Sequence, residues 1–187
     1  MEQSEASFTR IDQSTEADFD IMLPLMAAER TKLADRVLDN LKQLGGLKFG
    51  LKVDRLEHSL QTATRAMRDS AGEETVVVAL LHDIGDHLAP DNHGALAAEI
   101  LRPFVTDENY WVARHHPVFQ GYFFFDKIGR DRDARERYRG HPHFEATAKF
   151  CELWDCPAFD PGFDTMPLAA FEPMVRRLFD QPRPDYS

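Results

Sequence analysis

The sequence predicts an all-helical, single-domain protein, and three observations support this fold class. Apolar residues recur at helical spacing in most segments of the chain. No segment alternates apolar and polar residues over a useful length, and no Asn-Gly hairpin signal occurs. The 187 residues, 43% hydrophobic and 29% charged, suit one globular domain. We therefore expect one domain over residues 14–187, preceded by a flexible N-terminal arm over residues 1–13.

The first half of the chain predicts three helical segments. Residues 14–46 form the first, with Ser14 or Thr15 as a possible N-cap and Pro24 as a break or a start. Residues 53–72 form the second, capped by Asp54. Residues 72–86 form the third. Its run of valines is compatible with a strand, but the acidic start and the length favour a buried helix.

The sequence of the second half predicts two helices, then a charged segment, and then two more helices. Pro103 ends the helix at 92–104, and Pro117 bounds the helix at 106–116. The charged segment at 130–140 predicts an amphipathic helix. The last two helices are expected at residues 143–155 and 167–179.

Composition excludes several classes of partner. The net charge of −10 argues against nucleic acid and anionic membranes, which demand clustered lysines and arginines. The longest apolar run, Val76 to Leu81, is far shorter than a membrane span, and the polar N-terminus is not a signal peptide. Cys151 and Cys156 have the wrong spacing for a CxxC pair, which indicates two reduced thiols. We expect a cytoplasmic protein that binds a small polar or anionic molecule.

Metal-capable side chains stand at or near the inner ends of three apolar helical stretches. His58 lies within the second segment, His82-Asp83 follow the apolar run of the third, and Asp155 follows the stretch at 150–154. Taken alone, His58 has a simpler interpretation as a core histidine with one hydrogen-bond partner. Burying an imidazole and two carboxylates together is costly without a cation. The pattern therefore predicts a divalent metal site.

These residues resemble the signature of the HD-domain superfamily, written H…HD…D, which is His58, His82-Asp83 and Asp155 here. The resemblance extends from about Leu51 to Phe179. It implies an HD-domain helical bundle with metal-dependent chemistry, often phosphoester hydrolysis.

Two more histidines resemble branches of this superfamily that hold two metals. By that resemblance His58, His82, Asp83 and Asp155 bind one ion, while Asp83, His93 and His116 bind the other. Asp83 would bridge the two ions. His115 remains an alternative to its neighbour His116.

The stretches LEHSLQTA and ALLHDIG are similar to the HD-domain mixed-valent diiron oxygenases that cleave organophosphonates, distant relatives of inositol oxygenase. This resemblance implies two iron ions and O2-dependent cleavage of a C–P or C–C bond in a small polar hydroxylated substrate. The sequence departs from that group at Lys48 and Leu51, where a tyrosine and a glutamate are typical. It also departs at Gln120, which replaces a lysine that contacts substrate.

Two alternatives remain open. Asp86 stands where nucleotidase-type HD phosphohydrolases carry an acidic residue, which predicts a general base in a phosphohydrolase with one Mn, Co, Ni or Zn ion. A solvated helix-end aspartate is the simpler interpretation. A non-catalytic sensing module is disfavoured because the ligand pattern is complete.

Four residues are candidates for substrate binding. Gln120 is one, by its place in the pattern of the oxygenases. Arg132, Arg135 and Arg139 are the others, because they share one face of the predicted helix and arginine binds phosphate or carboxylate with two hydrogen bonds. A solvated charged face is the alternative for the arginines.

Overall fold

The computed structural model describes residues 5–184, and this part of the chain contains no β-strand. Its eight α-helices are α1 (Glu16–Arg30), α2 (Leu33–Lys42), α3 (Arg55–Arg68), α4 (Glu73–Leu81), α5 (His93–Leu101), α6 (Asp107–Gln120), α7 (Phe144–Phe150) and α8 (Glu172–Asp180). The predicted all-helical class is confirmed. The first four residues of the expected N-terminal arm, and residues 185–187 of the expected domain, lie outside the described residues.

Helix α4 is the centre of the bundle. Every residue from Val76 to Leu81 is at most 1% exposed, and α3, α6 and α8 pack around the helix. A helix that is apolar on all sides must be covered on all sides, which explains why this run lacks a polar face. The run of valines is therefore helical, which confirms the prediction of a helix rather than a strand.

The predicted segment at 14–46 is two helices, and the expectation that Pro24 marks a break or a start is wrong. The chain turns at Thr31 and Lys32, between α1 and α2, and Pro24 lies inside α1. Proline removes the hydrogen bond to the carbonyl of Asp20. Both residues are exposed, so water can take the place of the missing donor. Thr15 caps α1, and its N–H and hydroxyl donate to Asp18.

Ser7 ties the described part of the arm to α1. The amide of Ser7 donates to the Asp18 carboxylate at 2.6 Å, and Ile11–Gln13 form a short 3-10 turn. Whether residues 1–13 are flexible in solution stays a prediction.

Helix α6 continues through Pro117 to Gln120, so the expectation that Pro117 bounds it is wrong. The charged segment also differs from expectation, since Arg132–Tyr138 form a 3-10 helix rather than an α-helix. With three residues per turn, Arg132 and Arg135 share a face, whereas Arg139 lies just beyond the helix end. Both cysteines are free, as expected.

Helix α7 changes into one π-helical turn at Cys151–Asp155. A π turn has a wider ring than an α turn and often marks a functional position. Asp155 is the last residue of this turn and is fully buried. None of the described helices is both long and apolar enough to cross a membrane.

Helices α5 and α6 approach closely at Gly94. A Cβ atom on Gly94 would lie 2.9 Å from Cγ of Pro117 and 3.0 Å from the carbonyl oxygen of Ala113. Only a residue without a side chain fits there. This contact brings the start of α5 next to the last turns of α6.

Substituting Gly94 with Ala is expected to lower the free energy of unfolding by about 1–3 kcal/mol, because the new methyl group overpacks the contact. Urea denaturation measures the change. Gly140→Ala is the matched control, since its Cβ would meet no atom within 4 Å. Equal destabilisation by both substitutions would contradict the close approach.

Candidate metal centre

Six side chains meet at the inner end of α4. His58 comes from α3, His82 and Asp83 directly follow α4, His93 begins α5, His116 lies in α6, and Asp155 ends the π turn. Five of them are at most 1% exposed, and the side chain of His93 is 20% exposed. The structure thus brings together all six residues that the sequence predicts as metal ligands, from distant parts of the chain.

Each of the four imidazoles is fixed by its Nδ1 atom, which lies within hydrogen-bond distance of a backbone carbonyl. The acceptors are Ala158 for His58 at 3.0 Å, Ala79 for His82 at 2.8 Å, Pro90 for His93 at 2.9 Å and Ala113 for His116 at 2.8 Å. Carbonyl oxygens only accept, so Nδ1 carries the proton. Nε2 is then the ring nitrogen that can bind a metal ion in place of a proton, as in most metal sites with histidine.

Two of these acceptor carbonyls are available because a helix is interrupted. The carbonyl of Ala79 lies in the last turn of α4, where no later amide completes the helical pattern. The carbonyl of Ala113 would normally accept from residue 117, but Pro117 has no N–H. His116 takes the place of that donor. The proline that was expected to end α6 instead frees the acceptor that orients His116.

The first group of ligand atoms consists of His58, His82, Asp155 and one oxygen of Asp83. Nε2 of His58 lies 3.2 Å from Nε2 of His82, 3.2 Å from Oδ1 of Asp155 and 3.2 Å from Oδ2 of Asp83. Nε2 of His82 lies 3.1 Å from the same Oδ2 atom. These atoms surround one point in the interior.

The second group uses the other oxygen of Asp83. Its Oδ1 atom lies 3.2 Å from Nε2 of His116 and 3.4 Å from Nε2 of His93. The two oxygens of one carboxylate therefore face two separate pairs of imidazoles. A bridging carboxylate between two ions has this arrangement.

A divalent cation fits the chemistry of this cluster. The Nε2 atoms of His58 and His82 lie 3.2 Å apart, and Oδ2 of Asp155 is buried with no hydrogen-bond partner among the described residues. Burial disfavours the imidazolium form of His82, but the nearby carboxylates outweigh it and raise its pKa to about 10. Burial opposes ionisation of Asp83, yet His82 and Arg55 hold its pKa well below the usual range. Positive charge is thus required here, and imidazole with carboxylate suits Fe, Mn, Co, Ni or Zn.

Arg55 belongs to the site and was missed from the sequence. Its guanidinium contacts Oδ2 of Asp83 through one terminal nitrogen and donates from Nε to Oδ2 of Asp86 at 2.5 Å. The side chain is 11% exposed. The available signal was its position three residues before His58, which places both on one face of α3.

Asp86 and Gln120 both touch the cluster. Besides its bond to Arg55, Asp86 has Oδ1 at 3.1 Å from Nδ1 of His93, and the acceptor atoms of Asp83, Asp86 and His93 lie close enough to share an ion. Gln120 donates from Nε2 to Oδ1 of Asp155 at 2.6 Å. Both residues therefore lie directly beside the candidate ligands.

A cavity of about 400 Å³ adjoins the cluster. Arg55 and Gln120 form its polar wall, and Phe159, which stacks on His58 with a centroid distance of 4.4 Å, forms part of its apolar wall. The remaining lining residues are Leu51, Phe123, Phe124 and Cys156. Burial raises the pKa of Cys156 well above its usual range, so its thiol is not a nucleophile near neutral pH.

The three arginines predicted to bind substrate do not line this cavity. Arg132 and Arg135 place their guanidinium groups 4.3 and 3.5 Å from the ring centroid of Tyr122. Arg139 pairs with Glu136 through two hydrogen bonds of 2.7 and 2.8 Å. Their role in substrate binding stays a prediction.

The two adjacent histidines of α6 have different environments. His116 lies in the cluster, whereas His115 is half-buried between the rings of Trp111 and Tyr138. Burial and nearby Arg114 lower the pKa of His115 to about 4, so it is neutral. Of the two alternatives, the structure places only His116 beside Asp83.

Comparison with known protein families matches residues 55–152 to the family described as HD domain. The match covers more than half of the 187 residues and includes five of the six candidate ligands. It begins at Arg55 and ends three residues before Asp155. No curated protein matches the chain.

Substituting Pro117 with Ala is expected to weaken metal binding at the His116 side of the cluster by about 10- to 100-fold. The new amide would compete with His116 for the carbonyl of Ala113, while the helix itself would not be weakened. Titration of the protein with the metal in a calorimeter measures the change in affinity.

Pro24→Ala is the matched control for this prediction. Pro24 also lies inside a helix, but no side chain uses the carbonyl that it frees among the described residues. Unchanged metal affinity in Pro117→Ala, or an equal loss in both variants, would refute the role assigned to the Ala113 carbonyl.

Proposed function

The chain belongs to the HD domain family, and from this premise we propose that it is a dinuclear metal enzyme with two iron ions. The proposed reaction is O2-dependent cleavage of a C–P or C–C bond in a small hydroxylated substrate. The carboxylate of Asp83 is the observation that carries this proposal, because its two oxygens face separate imidazole pairs. Bound iron would supply redox chemistry and polarise a substrate oxygen.

Different residues of the chain would bind the ions, orient the substrate and limit the access of water. The four histidines, Asp83 and Asp155 would hold the ions. Arg55 and Gln120 lie at the junction of the cluster and the cavity, where they can orient an anionic or hydroxylated group. The aromatic side chains of Phe123, Phe124 and Phe159 cover the cavity and limit the access of water.

These contacts favour a substrate with two parts. A polar or anionic head would meet Arg55 and Gln120, and an apolar or flat remainder would lie against the phenylalanines. Nucleic acid does not fit the net charge of −10. The proposed partner is therefore a small molecule.

The state of Asp86 supports oxygenation over hydrolysis. A general base must be free to accept a proton from an attacking water. Asp86 instead accepts a charge-assisted hydrogen bond from Arg55 at 2.5 Å and is 8% exposed. Its Oδ2 atom is therefore occupied while this pair is formed, and its Oδ1 atom lies 3.1 Å from Nδ1 of His93.

A metal-dependent phosphohydrolase is the second candidate, and one observation favours it. Asp86 lies next to His93 at the second group of ligand atoms, which is where a base would act on a metal-activated water. A phosphoester that binds Arg55 would compete with Asp86 for the guanidinium. The carboxylate would then be released as the substrate binds.

Substituting His93 with Ala is expected to reduce the iron content from two ions to one per chain in protein purified without oxygen. The reason is that His93 contributes a ligand only on the outer side of Asp83. Elemental analysis measures the metal, and electron paramagnetic resonance of the wild type should show a mixed-valent signal that changes when substrate is added.

His143→Ala controls for the loss of a histidine outside the cluster. Its ring is paired with Glu108 rather than with the candidate ligands. An unchanged metal content in His93→Ala would contradict the second site. A wild type with one Mn, Co or Ni ion that hydrolyses nucleoside monophosphates without consuming O2 would overturn the oxygenase.

Substituting Asp86 with Asn separates the two candidate reactions. The oxygenase proposal expects kcat to stay within about tenfold of the wild type, because Asp86 then only positions Arg55 and His93 and accepts no proton. A loss of about 10²- to 10⁴-fold is the effect of removing a general base and would favour hydrolysis. Steady-state rates on one substrate measure the change, with Asp91→Asn, an exposed neighbour, as the control.

A further inference from the structure

Helix α1 is the most exposed helix among the described residues, although its sequence is largely apolar. Of its fifteen residues only Asp18 is buried. Four large apolar side chains are open to solvent: Phe19 at 38%, Leu23 at 57%, Leu25 at 44% and Met26 at 60%. By contrast, α2 directs Ala34, Val37, Leu38 and Leu41 into the core.

Three of these apolar residues lie on one face of α1, between an acid and a base. Phe19, Leu23 and Met26 follow each other at intervals of four and three residues, which is the spacing of one helical face. Glu16 precedes this row by three residues and Arg30 follows it by four. We define the α1 stripe as these five residues.

The two charged ends of the α1 stripe have no partner within residues 5–184. Neither Glu16 nor Arg30 makes an ion pair or a side-chain hydrogen bond in this part of the chain. Glu29, which is adjacent to Arg30, is instead paired with Lys32 at 2.6 Å. An acidic end, an apolar middle and a basic end thus remain available on one exposed face.

We propose that the α1 stripe binds the α1 stripe of a second copy of this chain, in an antiparallel pair. Glu16 and Arg30 lie seven residues on either side of Leu23. A twofold axis at Leu23 would therefore place each Glu16 opposite the partner copy's basic end, about 10 Å from the axis at 1.5 Å per residue. Such a self-complementary surface is what a twofold dimer requires.

The groove beside α1 extends this surface. It has a volume of about 410 Å³ and is lined by the last turn of α1 and by α8, including Arg30, Arg176 and Phe179. One helix per partner buries less than the ~800 Å² per partner of a standard interface. The dimer is therefore expected to form reversibly, with a dependence on protein concentration.

An anionic membrane is the other occupant that an exposed apolar helix suggests. The charge of α1 argues against it, since Glu16 and Asp20 flank the apolar row at its first turns and the whole chain carries −10. A charge pattern that matches itself favours a second copy.

The test begins with sedimentation velocity on the full chain over a range of concentrations. The wild type should shift from monomer to dimer as the concentration rises. Leu23→Glu places two like charges on the axis and should abolish the dimer. Ile128→Glu is the matched control, because Ile128 is also 57% exposed and lies far along the chain from α1.

Charge exchange provides a second test that does not depend on an apolar residue. Glu16→Arg and Arg30→Glu each set like charges opposite each other, so each variant alone should dimerise on the order of tenfold more weakly. An equal mixture of the two variants restores both opposite-charge pairs and should recover the dimer as a mixed species.

Each result decides the proposal. Loss of the dimer in Leu23→Glu together with recovery in the mixture supports it. A wild type that remains monomeric at all concentrations, a dimer that survives Leu23→Glu, or a mixture that stays monomeric overturns it. Binding of a monomeric wild type to anionic lipid vesicles would assign the α1 stripe to a membrane instead.

Discussion

The structure depends on one repeated interaction, the hydrogen bond from the Nδ1 atom of a histidine to a backbone carbonyl. Four imidazoles are held in this way, and each directs its other nitrogen toward the carboxylate of Asp83 or Asp155. The acceptors belong to the backbone, so the fold of the chain sets the orientation of each ring. Two of them, Ala79 and Ala113, are available because a helix ends or lacks an amide.

The burial of the cluster also accounts for the charged groups that follow an apolar helix. Helix α4 is buried on all sides, and its exit at His82 and Asp83 delivers both residues to the interior without a path to water. A buried carboxylate without compensation is strongly destabilising. Arg55 and the surrounding imidazoles supply part of the positive charge, and a divalent ion would supply the rest. Folding and metal binding are thus expected to be coupled.

The sequence was sufficient for the helical class and for the side chains that meet around Asp83, because periodicity and ligand type are local signals. It was not sufficient for Arg55, whose partners Asp83 and Asp86 lie about thirty residues further along the chain. Pro117 was misread as a helix end for a related reason. Whether a proline ends a helix depends on whether the freed carbonyl finds another donor, and that donor, His116, is identified only in three dimensions. The 3-10 geometry of Arg132–Tyr138, in which Arg135 lies over the ring of Tyr122, was likewise not evident from the charged sequence.

The pair formed by Arg55 and Asp86 connects the two candidate chemistries. While the guanidinium is bound to both carboxylates, Oδ2 of Asp86 is occupied, and this arrangement suits reactions that need no proton acceptor at this position. Arg55 also lines the cavity, so an anionic substrate can bind it and compete with Asp86. The nature of the substrate would then decide the function of Asp86: a strongly anionic phosphoester releases the carboxylate, whereas a hydroxylated substrate that is held by Gln120 leaves it engaged. Under the proposed function, the chemistry of this site would depend on what Arg55 binds as well as on the ions.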